Sequence, residues 1–410
     1  MTTEKTQVLI AGAGASGLMA AIVCAEQGKK VLVIEHKEKP GKKILATGNG
    51  KCNFTNSYLE RNCFHSDRND LAWEALSCFG VKDSIRFFER LGILSKEKNG
   101  YYYPYSGQAA AILEALVNEA ERLGVIICCQ EKLKNIEKKE EIFSVQTDLR
   151  MIESEKVIIS VGGKAAPKLG TEGNGYKIAR KFGHTVLPTV PALTGLQCQE
   201  QYLKDWAGVR TEGRIIVYID GKNVAEDTGE LQLTNYGISG IPVFQVSRFA
   251  SKAFYDKKQV TVVIDFMPSI KKEECIQWIE RLKRENQKKS VLSLTSGMLN
   301  KKLAQVWLKQ CKIPETEKIG ALSSQQITDM VCILKEWKIS VEDTNGFDQA
   351  QVTAGGISLE EVHMDTMESK KVKDLYFTGE ILDVDGICGG YNLQWAWTSG
   401  YMAGKAAGGM

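Results

Sequence analysis

The chain is 410 residues long, 43% hydrophobic and 25% charged, with a formal net charge of +3. That composition fits a globular protein of two or three compact units and excludes a fibrous, low-complexity or disulfide-stapled chain. With no basic tail or arginine cluster, it gives no argument for a nucleic-acid partner.

Val8-Leu9-Ile10-Ala11 predicts a buried parallel strand. It runs into Gly12-Ala13-Gly14-Ala15-Ser16-Gly17, a G-x-G-x-x-G. Leu18 to Gln27 has helical periodicity and stops at Gly28, and Val31 to Ile34 is a second strand closed by Glu35. This complete strand–turn–helix–strand–acid unit predicts dinucleotide binding. Gly12 makes the tight turn, Gly14 lets the backbone approach a pyrophosphate and Gly17 lets helix and strand pack. The helix N-terminus then faces the phosphates, with Ala15 and Ser16 among the cofactor contacts. Glu35 is placed to accept the ribose hydroxyls of an adenosine. Its charge disfavours a 2′-phosphate, so NADP is set aside here while FAD and NAD stay open.

The stretch "GKKILATGNGKCNFTN" (41–56) is too polar and glycine-rich for a core strand or helix and predicts a loop running past the pyrophosphate. Gly48 and Gly50 would let backbone N–H groups approach a ligand, and Lys42 or Lys43 would offset phosphate charge. Thr47, Asn49, Cys52 and Asn53 complete the candidate contacts. The aromatic run Tyr101-Tyr102-Tyr103-Pro104-Tyr105 reads either as a cleft wall or as a packed loop.

Ala110 to Leu123 predicts an amphipathic helix, and Val125–Cys129 and Ile142–Thr147 predict strands. Val157 to Val161 is a buried strand ending at Gly162 and Gly163, again suited to close approach by a dinucleotide. From about Pro191 the pattern changes to short strands at 215–219, 230–233 and 260–265, with "GELQLTNYGISGIP" as a turn-rich loop between them. Helices are predicted over 270–284, 299–309 and 327–337, and strands return at 339–342 and 351–354. Near the end, Leu375 to Thr378 predicts a strand, followed by Gly379-Glu380, a glycine-rich loop from Gly386 to Gly390, and a helix from Tyr391 to Ala403. Here a second helix N-terminus, with Asn392 and Leu393 in its first turn, can meet a ligand.

The eleven cysteines form no C-x-x-C pair, which disfavours a zinc site, and no metal is expected. Their scatter suits a reducing cytoplasm, and no signal peptide or membrane-spanning run is read. Cys52 and Cys388 both fall on candidate cofactor loops, but small buried packing is the preferred reading over a redox pair. None of the four histidines carries a covalent-attachment motif. No second strand–G-x-G-x-x-G–helix unit offers a separate nicotinamide domain.

The chain resembles the flavoprotein family that includes the aminoacetone oxidase-like enzymes and the bile-acid-pathway flavoprotein reductase. The resemblance covers nearly the whole chain. It is carried by "AGAGASGLMAA", "GKKILATGNGKCNFTN", "GTEGNGYKIARKFGH", "GELQLTNYGISGIPVFQVS", "VTAGGISLEEV" and "LYFTGEILDVDGICGGYNLQWAWTSGYMAG". It implies non-covalent FAD, with the 41–56 segment along the flavin and pyrophosphate and the two chain ends joined in one domain. The last helix would point its N-terminus at the flavin pyrimidine edge, and Asp383 would lie at the ribityl chain. Relatives often carry a histidine where Asn235 stands, so any proton transfer tied to that position would differ here.

The expected fold is α/β. A Rossmann-like FAD-binding domain (1–190 and 345–410) is split by a β-barrel-like insert for substrate (191–269 and 325–344), which carries a small helical subdomain (270–324). The favoured activity is reduction of an activated C=C bond, with a 3-oxo-4,6-diene bile acid or steroid as substrate class and NADH or NADPH as transient donor. Oxidation of small amines such as aminoacetone is the alternative, and a non-redox FAD-binding RNA-associated protein is the third reading. A small-molecule substrate is expected, with no membrane partner. The sequence assigns no catalytic acid and no oligomeric state.

Overall fold

The computed structural model describes residues 3–409. The chain forms two compact units, one made of the chain up to Thr189 together with the chain from Gln351 onward, the other of Val190–Ala350.

The first unit opens with β1 (Thr3–Ala11), α1 (Ala15–Glu26) and β2 (Val31–Glu35). It continues through α2 (Ala109–Arg122), β3 (Ile126–Cys129), β4 (Leu133–Lys139), β5 (Ile142–Thr147) and β6 (Met151–Ile159). The sheet order is β3-β2-β1-β6-β5-β4. β1 runs parallel to β2 and β6, with Val8 opposite Val31 and Leu9 opposite Val157; β5 is antiparallel to both β6 and β4, so it alone runs against the other strands of this order. Val8 to Ala11 and Val157 to Ile159 are buried. Their unbroken apolar runs are what a parallel strand needs when both its faces are covered.

The second unit contains β7 (Leu196–Cys198), β8 (Arg210–Ile219), β9 (Lys222–Leu233), β10 (Gly237–Gly240), α3 (Ile241–Tyr255), β11 (Val260–Asp265) and β12 (Trp337–Thr344). Six strands close into an antiparallel barrel in the order β7-β10-β9-β8-β11-β12, and pairing of β12 with β7 removes both edges. Ile215, Val217, Leu231, Leu233, Val262 and Ile264 face the core at every second position. The stretch read as a turn-rich loop is mostly barrel. Glu230–Leu233 ends β9, Gly237–Gly240 is β10, and Leu233 pairs with Ile238. Gly237 marks a close strand approach rather than a turn, since a Cβ there would lie 2.1 Å from the Leu196 carbonyl oxygen. Helices Lys272–Glu285, Val291–Thr295, Lys301–Gln310 and Ser324–Lys335 share one apolar core with the barrel, including the fully buried Trp206 and Trp307. Trp337 belongs to β12, not to the preceding helix.

The chain then returns to the first unit with β13 (Leu375–Phe377) and α4 (Tyr391–Gly408). β13 lies parallel to the C-terminal half of β6, with Leu375 opposite Val157. α4 packs on α1 through glycines: a Cβ at Gly400 would lie 2.4 Å from the Ser16 carbonyl oxygen, and one at Gly404 would lie 2.8 Å from that of Ala20. The contacts advance together along both helices, so they run parallel. From Tyr391 to Gly400 is nine residues, which carries the α4 N-terminus about 13 Å past the start of α1 at 1.5 Å per residue.

Candidate cofactor-binding site

Ligands of open α/β sheets bind beyond the carboxyl ends of the strands. Four such ends converge here. Gly12 to Gly17 follow β1, Glu35 ends β2, Gly162 and Gly163 follow β6, and Gly379 and Glu380 follow β13. The first turn is fixed by backbone approach. Gly12 has φ +103°, and a Cβ on it would lie 2.4 Å from the Ser160 carbonyl oxygen; one on Gly17 would lie 1.9 Å from the carbonyl oxygen of Gly12. Gly14 differs, because a Cβ there would meet nothing within 4 Å. It is the N-cap of α1 and supplies no side-chain cap. The first-turn N–H groups therefore face open space with their partial positive charge.

Glu35 holds that turn as well as facing the site. Its Oε2 accepts the Ala13 N–H at 3.0 Å and its Oε1 accepts the Lys37 N–H at 2.9 Å, while His36 Nδ1 lies 3.1 Å from Oε1. Burial pushes its pKa up, but His36 and the two amides outweigh burial and hold the carboxyl below its ordinary range.

The 41–56 segment is more ordered than the predicted loop. Lys42–Ala46 forms a single helical turn, Thr47–Gly50 a tight turn, and Thr55–Asn56 a strand. Gly48 and Asn49 both adopt left-handed backbone, at φ 56° and 54°, a conformation that favours the residues found there. Lys42 pairs with Glu38 at the surface, 2.6 Å away, and so lies apart from the site. Lys43 Nζ reaches Glu380 Oε2 at 2.5 Å and the Ala165 carbonyl at 3.3 Å, tying three segments together. Thr47 Oγ1 donates to the Ile44 carbonyl at 2.6 Å. Gly50 stands in open space. Cys52 is fully buried, and burial, opposed by Thr47, pushes its thiol up to about 12, so it stays neutral at pH 7. All eleven cysteines are free thiols.

From Asn53 onward the segment is clamped to α4. Thr55 Oγ1 donates to Gln394 Oε1 at 2.6 Å, Trp397 Nε1 to the Phe54 carbonyl at 2.9 Å, and Asn56 Nδ2 to the Gly389 carbonyl at 3.0 Å. Asn53 is 8% exposed, yet its Oδ1 is buried without a hydrogen-bond partner. A Cβ on Gly390, the N-cap of α4, would lie 3.0 Å from that oxygen. An unpaired buried acceptor costs free energy, about 1–3 kcal/mol, unless a ligand donor meets it. Gly390, like Gly14, caps its helix without a side chain.

The C-terminal loop carries the remaining candidates. Gly379 abuts Ser16, where a Cβ would lie 2.7 Å from Oγ; its N–H donates to Ser399 Oγ at 2.9 Å and its carbonyl accepts Trp395 Nε1 at 3.1 Å. Glu380 Oε1 accepts the Thr353 N–H at 2.9 Å. Asp383 is buried, and its Oδ2 accepts the Asp67 N–H at 2.8 Å and the Ser66 hydroxyl at 3.1 Å. Asn392 closes the loop through two bonds to the Gly386 backbone, at 2.9 and 2.8 Å. Tyr391 packs edge-on to Phe64, with 5.8 Å between centroids, and Leu393 is half-buried. Gly162 and Gly163 are crowded by protein side chains, Thr171 and Thr353 respectively, which is a packing reason for glycine at both.

Sequence reading misses Gln394, Ser399 and Thr353, the buried residues that fix these loops. Gln394 alone bridges Thr55, Ser84, Phe79 and Thr398. Nothing local flags such a hub. The i, i+4, i+8 spacing of Gly400, Gly404 and Gly408 is a signal that could reveal the helix contact. The tyrosine run is a strand, Tyr101–Pro104, paired to Thr55–Asn56 and Ser95–Lys98. Tyr102 faces Phe54, while Tyr101 borders Gly389 and Tyr103 borders Gly48. Burial and then Tyr101 push the Tyr103 phenol pKa up.

Residues 6–406 match the family model described as HI0933-like protein Rossmann domain. The chain is 41% identical over 400 residues to the 3-dehydro-bile acid delta(4,6)-reductase of Clostridium scindens, covering 97% of this chain and 98% of that protein. It is 31% identical over 401 residues to the ribosomal RNA dihydrouridine synthase of Escherichia coli, covering 97% of each. Among solved structures, a flavocytochrome c3 fumarate reductase aligns with TM-score 0.50 at 13% identity, over 99% of this chain and 78% of that one. A quinol-fumarate reductase aligns with TM-score 0.51 at 13% identity, over 100% and 71%. These two alignments speak to the fold alone.

Proposed function

The chain belongs to the HI0933-like Rossmann family and is an FAD-dependent oxidoreductase; from that premise we propose that it reduces carbon–carbon double bonds conjugated to a carbonyl. The substrate class is a 3-oxo-4,6-diene bile acid or steroid, and NADH or NADPH is the electron source. The observation that carries this reading is the full-length 41% identity to a 3-dehydro-bile acid delta(4,6)-reductase.

The residues present fit FAD. The open space at Gly14 and the uncapped start of α1 suit a pyrophosphate, and Glu35 suits the adenosine ribose. The orphaned Asn53 oxygen suits a ring N–H, and the uncapped start of α4 suits a carbonyl or a negative charge. When bound and reduced by the nicotinamide, FAD would supply the hydride for the β-carbon of the conjugated system. The protein must then exclude water and deliver a proton to the α-carbon. Tyr101 and Tyr103 border the same loops as half-buried phenols. Tyr103, protonated at neutral pH, is the donor of that proton in this reading. With one dinucleotide fold among the described residues, this reading has NADH and substrate take turns, giving ping-pong kinetics.

A second substrate reading rests on the 31–32% identity to two ribosomal RNA dihydrouridine synthases. Dihydrouridine is uridine saturated at C5–C6, and that double bond is conjugated to the C4 carbonyl, so the chemistry is the same. Anaerobic stopped-flow absorbance, with the dienone and a uridine-containing RNA as rival oxidants, tests both readings. NADH or NADPH is expected to bleach the flavin band, and the dienone to restore it faster than oxygen does. Bleaching by aminoacetone but not by nicotinamide would favour the amine-oxidase alternative. Failure of all three donors would leave a protein donor.

A further inference from the structure

The total charge of +3 conceals a strong local excess. Residues 281–312 hold nine lysines or arginines and one acidic residue, Glu285, so that the rest of the chain is net negative. This stretch spans the end of helix Lys272–Glu285, the turn after it, and helices Val291–Thr295 and Lys301–Gln310. Arg281, Arg284, Lys288, Lys289 and Lys301 are exposed, and no carboxylate among the described residues lies within ion-pairing distance of them. The turn is a fixed feature: the Ile319 N–H donates to the Lys289 carbonyl at 3.0 Å and the Gly320 N–H to the Gln287 carbonyl at 3.2 Å.

Part of this charge has an ordinary use, since cations near a helix C-terminus offset its dipole. That accounts for the last turn of Lys272–Glu285, not for Lys288, Lys289 and Lys301 beyond it. A membrane surface fits poorly. Basic helices that lie on lipid present large apolar side chains beside their charges, and no exposed large hydrophobic residue falls between 256 and 409. Unpaired Lys and Arg on rigid elements, without exposed apolar side chains, are what a phosphodiester backbone selects.

We propose that the basic segment from Arg281 to Lys301 binds RNA. The choice of RNA rests on the double-bond-reductase reading above, because uracil is the nucleobase whose unmethylated C5=C6 bond is conjugated to a carbonyl.

The test uses the full-length FAD-loaded protein and a fluorescein-labelled RNA hairpin, in fluorescence anisotropy over a salt series. Binding is expected to weaken steeply with salt. The variant R281A/R284A/K288A/K289A is expected to lose affinity about tenfold or more and to flatten the log–log salt slope by several units, roughly one per lost phosphate contact. Unchanged FAD content and circular dichroism show that it is folded. A control variant, K222A/K257A/K258A, removes exposed lysines elsewhere and is expected to bind like the wild type. Equal loss in both variants, no loss in the first, equal binding of the matching DNA hairpin, or binding to phosphatidylglycerol vesicles in place of RNA would each overturn the proposal. Because binding is read without turnover, RNA that binds but is not reduced leaves this proposal standing and removes only uridine as substrate.

Discussion

At the scale of single residues, the three glycines of the first turn differ in what confines them. Gly12 and Gly17 are held by contacts with backbone oxygen that no Cβ can share, whereas Gly14 borders open space at φ −83°, where any residue is tolerated. Gly14→Val is therefore expected to fold with wild-type circular dichroism and melting yet purify colourless. Gly17→Ala is expected to be poorly soluble or unfolded. FAD retained by Gly14→Val would show that the pyrophosphate lies elsewhere. Glu35→Ala removes the proposed ribose acceptor and also the partner of the Ala13 N–H. At about 1.5–3 kcal/mol for a hydrogen bond to a charged group, FAD affinity is expected to fall about tenfold or more. The pH dependence has a definite sign. The folded pKa is depressed, so the contribution is complete above the unfolded carboxylate value, about 4.3, and fades as pH falls through the lower folded value. The gap in melting temperature between wild type and Glu35→Gln is expected to be constant near neutrality and to close in acid; a gap that persists there would mean that Glu35 acts through packing.

At the scale of elements, the α1–α4 contact sets the spacing between the two uncapped helix starts. Gly400→Ala places a methyl group 2.4 Å from a backbone oxygen of α1, so the helices must part or the backbone must shift. Overpacking of this kind costs about 1–3 kcal/mol. Urea denaturation is expected to show that loss together with weakened FAD binding, while the exposed Lys405→Ala on the same helix is expected to be neutral. Equal FAD affinity in Gly400→Ala would separate stability from cofactor spacing. The contact also shows what a sequence carries and what it does not. β1, α1, β2 and the C-terminal strand and helix are legible because apolar runs, glycines and the acid lie within one local unit. The buried half of 41–56 is not, since Cys52 to Asn56 look polar and irregular until Gln394, Trp397 and Gly389 supply their partners from more than 300 residues away. The helices Asn69–Cys78 and Val81–Arg90, and α3, are missed as well. β10 is hidden in a glycine-rich stretch because glycine signals both turns and close strand approach.

At the scale of the whole molecule, the chain leaves the first unit after Thr189 and re-enters it at Gln351. The two crossing points are neighbours within that unit, for a Cβ on Gly355 would lie 2.1 Å from the Pro188 carbonyl oxygen and 3.2 Å from Thr189 Cα. All the candidate cofactor contacts fall in this unit, and its apolar core is contiguous from β1 through α4. Its folding therefore needs no contribution to the core from Val190–Ala350. Domains inserted at adjacent surface points are removable in this way when each unit keeps its own core. Joining Thr189 to Gln351 through a short Gly/Ser linker is expected to give a folded yellow protein with bound FAD. Dithionite should still bleach it, but on the proposal that the barrel unit holds the substrate the dienone should no longer reoxidise it faster than oxygen. The RNA hairpin should likewise fail to bind. A colourless or insoluble product would show that the first unit depends on the second for its fold; full dienone turnover would place the substrate contacts within the first unit alone.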